Sequence, residues 1–183
     1  MIVGYEIIGQ DNGDHMFDYD DKKLPLCKNC NYVIDFDYIN SEFKVKRRNF
    51  DVSYTYDGRC ITSLKFKEFC LINNYNGLEF IKLPKDPDFF YFIVHNIVTI
   101  NTAKQVITKE NYCKICGYYE GVVTNRPLYL SNINSELPDG FYATDIHFGG
   151  GNGKSSVIII GVETYKKIKK EKFKGIIYSK VES

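Results

Sequence analysis

Two pairs of closely spaced cysteines are the residues in this sequence best suited to chemistry. Cys27 and Cys30 form one CxxC unit, and Cys113 and Cys116 form a second unit far along the chain. Two intervening residues let both sulfur atoms of a tight turn face one point, so two such turns can supply the four thiolates of a closed, tetrahedral structural zinc site. The sequence therefore predicts one zinc ion shared by all four cysteines.

The residues that follow each cysteine pair help to separate zinc binding from redox chemistry. Asn31 and Gly117 come directly after the second cysteine of each unit, and both residue types tolerate the positive φ that a chain leaving such a turn adopts. A thioredoxin-like CxxC would precede a long helix. Here Tyr32 to Ile39 alternates as a strand does, and the residues after Cys116 do not form a helical pattern. Redox or disulfide chemistry stays open as an alternative, and exposed, reactive thiols would support it.

Composition and charge limit the other classes of function. The 183 residues are 44% hydrophobic and 15% aromatic, which suffices for a packed core. The 24 basic and 23 acidic residues nearly cancel, so the net charge favours neither nucleic acid nor an anionic membrane as partner. No segment has the pattern of a signal peptide or a membrane span. We therefore expect a cytoplasmic protein with reduced thiols, in which Cys60 and Cys70 are core residues.

An acidic and aromatic stretch near the N-terminus is the candidate surface for a partner. It runs from Gln10 to Asp21, and its candidate contact residues are Asp14, Phe17, Asp18, Tyr19, Asp20 and Asp21. A solvated loop is one interpretation. The other is a recognition surface with aromatic anchors that binds a basic partner. The spacing of the aspartates does not fit an EF-hand calcium loop.

The glycine-rich segment 149–155 is similar to a phosphate-binding loop but lacks two of its requirements. Phe148 stands where such a loop has its first glycine, and residues 156–161 are β-branched and typical of a strand rather than a helix. We interpret the segment as a hairpin. Because the three histidines are scattered and no nucleophile motif is present, we expect a protein that is not an enzyme.

The pattern of apolar residues predicts an α+β fold with a mostly antiparallel sheet and two short helices. Segments 61–83 and 159–181 align without a gap as strand, helix, glycine and strand, with Gly77 matching Gly175. Helical spacing predicts two buried faces, Phe66, Phe69 and Cys70 in the first copy and Val162, Tyr165 and Ile168 in the second. We expect one zinc-stabilised domain, 1–183, or two related halves at about 1–100 and 101–183.

The order of these features resembles the double-CXXCG motif proteins, a family that includes immunity proteins paired with bacterial contact-dependent or swarming-inhibition toxins. The agreement is closest in the C-terminal third, in Cys113-Lys-Ile-Cys116-Gly117, Pro127-Leu-Tyr-Leu, Leu137-Pro138, Asp145-Ile-His-Phe and the run from Ile158 to Phe173-Lys-Gly-Ile. Asn31 replaces the family's glycine in the first unit. The resemblance implies a cytoplasmic protein that binds and neutralises a cognate toxin, with zinc stabilising its fold.

A zinc ribbon that binds nucleic acid is the second hypothesis. It depends on the four thiolates and on two basic tracts, Lys44 to Arg48 and Lys166 to Lys174. Both tracts also fit ordinary solvent-exposed faces. Binding of this kind would weaken steeply as the salt concentration rises.

Overall fold

The computed structural model describes residues 1–17 and 23–183, and within them the chain forms twelve strands and two helices. In chain order these elements are β1 (Ile2–Asp11), β2 (Val52–Tyr54), β3 (Cys60–Ser63), α1 (Leu64–Ile72), β4 (Leu78–Leu83), β5 (Asp86–Val94), β6 (Ile97–Val98), β7 (Ile107–Tyr112), β8 (Tyr119–Thr124), β9 (Leu128–Tyr129), β10 (Phe141–Gly150), β11 (Ser155–Ile160), α2 (Val162–Glu171) and β12 (Ile176–Glu182).

The strands hydrogen-bond into one large mixed sheet. Its main path runs β4-β5-β3-β2-β1-β11-β10-β8-β7, and β6, β9 and β12 pair with strands of the sheet outside that path. Three pairings are parallel, β1 with β2, β6 with β10 and β9 with β12. The others along the main path, and that of β12 with β1, are antiparallel. The predicted α+β class with a mostly antiparallel sheet and two helices is confirmed at this level.

Two segments of the chain form the same strand-helix-strand arrangement. In the first, β5 lies between β3 and β4, and in the second, β1 lies between β11 and β12. The middle strand is antiparallel to both neighbours, so the two outer strands of each unit run parallel and the helix connects them. Gly77 and Gly175 both have positive φ just before the second outer strand. These units match the two aligned segments of the sequence, and their origin by duplication stays a prediction.

Both helices pack over one hydrophobic cluster. α1 contributes Phe66, Phe69 and Cys70, as its spacing predicts, and α2 contributes Ile168. The fully buried ring of Phe66 meets Phe173, which follows α2, edge-on at 5.2 Å between centroids. On α2 the prediction is right for Ile168, whereas Val162 and Tyr165 are only partly buried. α1 is thus linked, through Phe66 and Phe69, to Phe173 in the segment that follows α2.

The two cysteines outside the CxxC units are core residues, as predicted. Cys60 and Cys70 are 4% and 1% exposed and belong to the cluster under the helices. Burial raises the pKa of the Cys60 thiol to about 12, and burial also raises the pKa of Cys70. Both thiols are therefore protonated and unreactive at neutral pH.

The predicted strand from Tyr32 to Ile39 is wrong. Only Val33 takes part in a β-bridge, with Leu26, and the chain then turns away. The side chain of Asp35 accepts a hydrogen bond from the backbone N–H of Asp37. Asp side chains compete in this way for backbone groups that a strand would use, so the alternating pattern does not develop into a ladder.

The glycine-rich segment is a hairpin, as predicted. It joins β10 to β11, and Phe148 pairs with Ser155 across it. β11 alternates between the two faces of the sheet, with Ile158 and Ile160 under the helices and Ile159 in a second cluster on the other side. Neither helix within the described ranges has the length and apolar character needed to cross a membrane.

Candidate metal centre

The two CxxC units fold into the same local structure. In each, the N–H of the first cysteine donates to the carbonyl five residues later, Cys27 to Tyr32 at 2.9 Å and Cys113 to Tyr118 at 2.8 Å. A second bond returns from the residue after the CxxC, Asn31 or Gly117, to the carbonyl of the first cysteine at 2.9 Å. Asn31 and Gly117 have φ of 59° and 76°, as their residue types predict. The two units are thus equivalent knuckle-shaped turns.

The surrounding strands set the position of each knuckle. The second knuckle is the turn of the β7–β8 hairpin and is flanked by the pair Tyr112 and Tyr119. The first is closed by the single bridge between Leu26 and Val33, the equivalent positions. The glycine-rich hairpin supports it, because the side chain of Asn152 accepts a hydrogen bond from the N–H of Val33 at 2.8 Å. The second knuckle is therefore held by a hairpin, and the first by one β-bridge and the side chain of Asn152.

All four predicted cysteines come together. Their sulfur atoms lie within 4.8 Å of one another, and the shortest distances cross between the knuckles: 3.9 Å from Cys27 to Cys113 and 3.6 Å from Cys30 to Cys116. Sulfur atoms at about 2.3 Å from a tetrahedral ion lie roughly 3.8 Å apart. All six cysteines of the chain lie within the described ranges and are free thiols. The cluster has the donors, spacing and oxidation state to hold one metal ion.

The first cysteine of each knuckle is prepared to act as a thiolate. Backbone N–H groups, of Asn29 first and then Cys30, lower the pKa of Cys27, and the N–H of Cys116 is the main cause that lowers the pKa of Cys113 to about 6. The side-chain amide of Asn29 also approaches the sulfur of Cys113 at 3.5 Å. Hydrogen bonds to a charged group favour its charged form. These donors orient the lone pairs of the sulfur atoms. They also favour loss of the thiol proton, which competes with a metal ion for the sulfur.

The second cysteine of each knuckle shows the opposite effect. Desolvation raises the pKa of Cys30 to about 12 and is also the main cause that raises the pKa of Cys116. Four thiolates crowded within 4.8 Å repel one another without a cation between them. A divalent ion removes this repulsion and allows all four sulfur atoms to deprotonate. The arrangement therefore favours metal binding over four independent thiols.

A lysine that sequence reasoning placed only in a hairpin lies beside the cluster. Lys154 is 2% exposed, and its amine donates to the carbonyl of Glu120 at 3.1 Å and to that of Gly151. Burial lowers the pKa of Lys154, while the charges of Cys116 and Cys30 act in the opposite direction. The glycine-rich segment is recognisable in the sequence, but its spacing does not indicate that its lysine is buried near enough to Cys30 and Cys116 to interact with their charges.

The candidate partner residues fall into two groups. Asp18, Tyr19, Asp20 and Asp21 lie outside the described residues. Asp14 forms an ion pair with Lys46 at 3.4 Å, and Phe17 is 3% exposed in a cluster with Leu24 and Val33. Phe17 therefore supports the fold around the first knuckle, and the role of this stretch in partner binding stays a prediction.

The first basic tract is largely paired with carboxylates of the same chain, and the second is paired in part, through Lys166 and Lys167. In the first tract Arg47 pairs with Asp11 at 3.5 Å, and Arg48 pairs with Asp86. In the second, Lys167 pairs with Asp139 at 2.5 Å. Phosphate binding requires cations that are free to replace counterions, so these pairs reduce the support for a nucleic-acid interface.

Comparison with known proteins adds no assignment to this geometry: no family model matches the chain, and neither a curated protein nor a solved structure matches it.

Proposed function

We propose that this chain is a non-enzymatic, zinc-binding protein in which the metal is structural. The observation that carries the proposal is the convergence of Cys27, Cys30, Cys113 and Cys116 from two distant knuckles. Four protein sulfur ligands complete a tetrahedral shell and leave no position for a water molecule or substrate, which is the arrangement of structural rather than catalytic zinc. Bound zinc would link the segment before β2 to the β7–β8 hairpin. Reduced thiols fit the cytoplasm, which is the proposed location.

Zinc is preferred among the metals that accept thiolates. A site of four sulfur atoms suits zinc or iron, but zinc has no redox chemistry and imposes no geometry beyond the tetrahedron that the ligands already approach. A structural role needs only those properties. Iron taken up during overproduction would be recognised by its visible absorption.

Metal analysis of cysteine variants tests this proposal. We expect the purified protein to contain one zinc per chain, and both double variants, Cys27→Ser with Cys30→Ser and Cys113→Ser with Cys116→Ser, to lose it. Each knuckle supplies only half of the ligands, so neither pair suffices alone. Cys70→Ala, which changes a buried thiol outside the site, is the matched control and should keep its zinc. A double variant that retains a full equivalent of zinc would rule out a shared site.

We further propose that the protein is an immunity protein that binds and neutralises a cognate bacterial toxin. The support is the resemblance to the double-CXXCG motif proteins, above all in the order of features from Cys113 to Phe173. The acidic stretch from Gln10 to Asp21 is the proposed contact surface for a basic toxin domain. Asp14 fits this role because its side chain is 39% exposed in spite of its ion pair with Lys46.

Co-production with the product of the neighbouring toxin gene tests the immunity function. Cells that produce the toxin should survive only when this chain is also present. Charge reversal at Asp14, Asp20 and Asp21 should weaken protection, whereas reversal at Glu163, on the exposed face of α2, should not. Equal survival with and without this chain would end the immunity proposal but would leave the zinc proposal intact.

A further inference from the structure

Arg59 is a buried cation with no ion pair among residues 1–17 and 23–183. Its side chain is 2% exposed, and its Nε and Nη2 atoms are buried without a hydrogen-bond partner among the described residues. The third nitrogen, Nη1, donates at 3.4 Å to the carbonyl of Lys154. Buried charges in proteins are normally paired, because an unpaired one loses its hydration without compensation. This arginine is therefore a candidate anchor for a ligand that is absent from the chain itself.

The two unpartnered nitrogen atoms lie on one edge of the guanidinium group. Nε–H and one N–H of Nη2 point in the same direction, in the fork that matches the two oxygen atoms of a carboxylate. The rings of Phe17 and Phe36 lie over the guanidinium, at 4.7 and 5.5 Å from ring centroid to Cζ. These rings fix the plane of the group. The free edge thus has the shape to match a planar anion, and it is covered in the absence of a ligand.

Arg59 is part of the wall of a pocket of about 410 Å³. The remaining wall is mixed. One part is apolar and consists of Phe92, Val94, Ile97, Ala143 and Ile158, and the other part is polar and includes Asp35, Asp37, His147, Ser155 and Ser156. A pocket of this size holds a small organic molecule, and an apolar lining with few polar anchors is typical of such sites. An inorganic anion would leave most of this lining without contacts.

The other charged groups of the pocket do not neutralise Arg59. Asp35 and Asp37 belong to the wall but are exposed, and neither forms a hydrogen bond with the guanidinium. Their charges are screened by solvent, whereas that of Arg59 is not. Burial, followed by the charge of Arg59, lowers the pKa of His147, which also belongs to the wall. The neutral hydroxyl of Tyr91 also lies beside Arg59: burial raises the pKa of Tyr91, and the charge of Arg59 acts in the opposite direction. Arg59 is accordingly the fixed charge of the buried part of the pocket.

We propose that this pocket binds a small organic carboxylate with an apolar body. The carboxylate is held by Nε and Nη2 of Arg59, and the apolar body lies against Phe92, Val94 and Ile158. Phe36 covers Arg59 and also belongs to the pocket wall, so the ligand reaches the guanidinium by displacing the Phe36 ring. The site depends neither on the zinc proposal nor on the toxin proposal.

Binding of hexanoate to the full-length, metal-loaded protein tests the proposal, with hexanamide as the neutral analogue and inorganic phosphate as the anion without an apolar body. We expect calorimetry to detect hexanoate and to find the other two compounds at least tenfold weaker. Arg59→Met should weaken hexanoate binding at least tenfold, and Arg59→Lys, which keeps the charge but loses the fork, should also weaken it. Asp37→Asn should strengthen binding about twofold, because it removes a negative charge from the wall.

Thermal unfolding without ligand separates binding from folding. Arg59→Met should unfold at the same temperature as the wild type or a higher one, because it removes an unpaired buried charge. Equal binding of hexanoate and hexanamide, or wild-type affinity in Arg59→Met, would overturn the proposal. If phosphate binds as tightly as hexanoate, the proposed contacts between the apolar body of the ligand and the pocket wall are wrong. If Asp37→Asn lowers both hexanoate affinity and thermal stability, Asp37 is the internal partner of Arg59 and the ligand site does not exist.

Discussion

At the scale of single residues, Lys154 offers a direct test of charge balance at the metal centre. A divalent ion with four thiolates carries a net charge of about −2, and Lys154 is a buried cation close enough for Cys30 and Cys116 to affect its pKa. We expect Lys154→Met to lower zinc affinity roughly tenfold, the lower end of what outer-shell partners contribute. Competition with a chromophoric chelator measures this. Lys114→Met removes an exposed charge within the second knuckle and should change affinity far less. Equal losses of zinc affinity in the two variants would contradict a specific role of Lys154 in charge balance.

The equivalent residues Asn31 and Gly117 allow a second prediction at this scale. Gly117 has φ of 76°, and a Cβ atom added there would meet no other atom within 4 Å. Gly117→Ala should therefore reduce the free energy of unfolding by about 1 kcal/mol through backbone strain alone. Gly117→Asn should cost less than half as much, because Asn tolerates this conformation, as Asn31 does at φ of 59°. Chemical denaturation of zinc-loaded protein measures both values, and an alanine variant as stable as the asparagine variant would refute the argument.

At the scale of elements, the two helices begin at equivalent positions but have different N-cap residues. The side chain of Ser63 caps α1 by accepting a hydrogen bond from the N–H of Phe66 at 3.3 Å. At α2 the cap is Gly161, which has no side-chain hydrogen bond. A Cβ atom at Gly161 would lie 2.2 Å from the carbonyl oxygen of Pro138, so the close approach of the 137–140 loop excludes a serine there.

These two caps should respond differently to alanine. Ser63→Ala should cost about 1 kcal/mol of folding stability, the usual value of an N-cap. Gly161→Ala should cost more, about 2 kcal/mol, because the backbone of the Pro138 loop must move to relieve the overlap. Urea denaturation of the two variants gives the comparison. If Ser63→Ala loses more stability than Gly161→Ala, the Pro138 loop moves at little cost and its packing is not the reason for glycine at position 161.

At the scale of the whole molecule, the metal should act on only one region of the fold. Between residues 23 and 50 the chain has no strand. It is held by the first knuckle, by the hydrogen bond that the N–H of Val33 donates to Asn152, and by a hydrophobic cluster that includes Val33 and Phe43. Removal of the proposed zinc would take away its link between this segment and the β7–β8 hairpin. The strand-helix-strand units share a separate aromatic cluster under the helices, and only the other face of the first unit packs against this segment, through Ile61, Phe89 and Tyr91.

We therefore expect local rather than global opening when zinc is removed. Hydrogen exchange measured by mass spectrometry, with and without a chelator, should show faster exchange in residues 24–40 and 107–124 and unchanged protection in α1, α2 and β12. Regions of low local stability open independently of the core. Uniform loss of protection would mean that the metal supports the complete fold, as in small zinc fingers that unfold without metal.

Much of the local structure follows from the sequence by itself. The CxxC spacing and the residues after it determine the knuckle turns, helical spacing identifies the buried face of α1, and glycine content identifies the 149–155 hairpin. The convergence of the four cysteines was also predictable, because one knuckle supplies only two of the four ligands that a tetrahedral ion requires. In each case the information lies in backbone preferences and side-chain periodicity over a few residues.

Only the tertiary structure decided which distant groups meet. The failure of the strand after Val33, the placement of Lys154 beside Cys30 and Cys116, and the burial of Arg59 between Phe17 and Phe36 all depend on contacts between segments far apart in the chain. Local preferences are worth a few tenths of a kcal/mol to about 1 kcal/mol per residue, whereas burial of an aromatic ring or a charge changes the free energy by several. Burial of rings and charges therefore outweighs local preference wherever the two conflict. Which rings and charges are buried depends on contacts that form only when the complete chain folds.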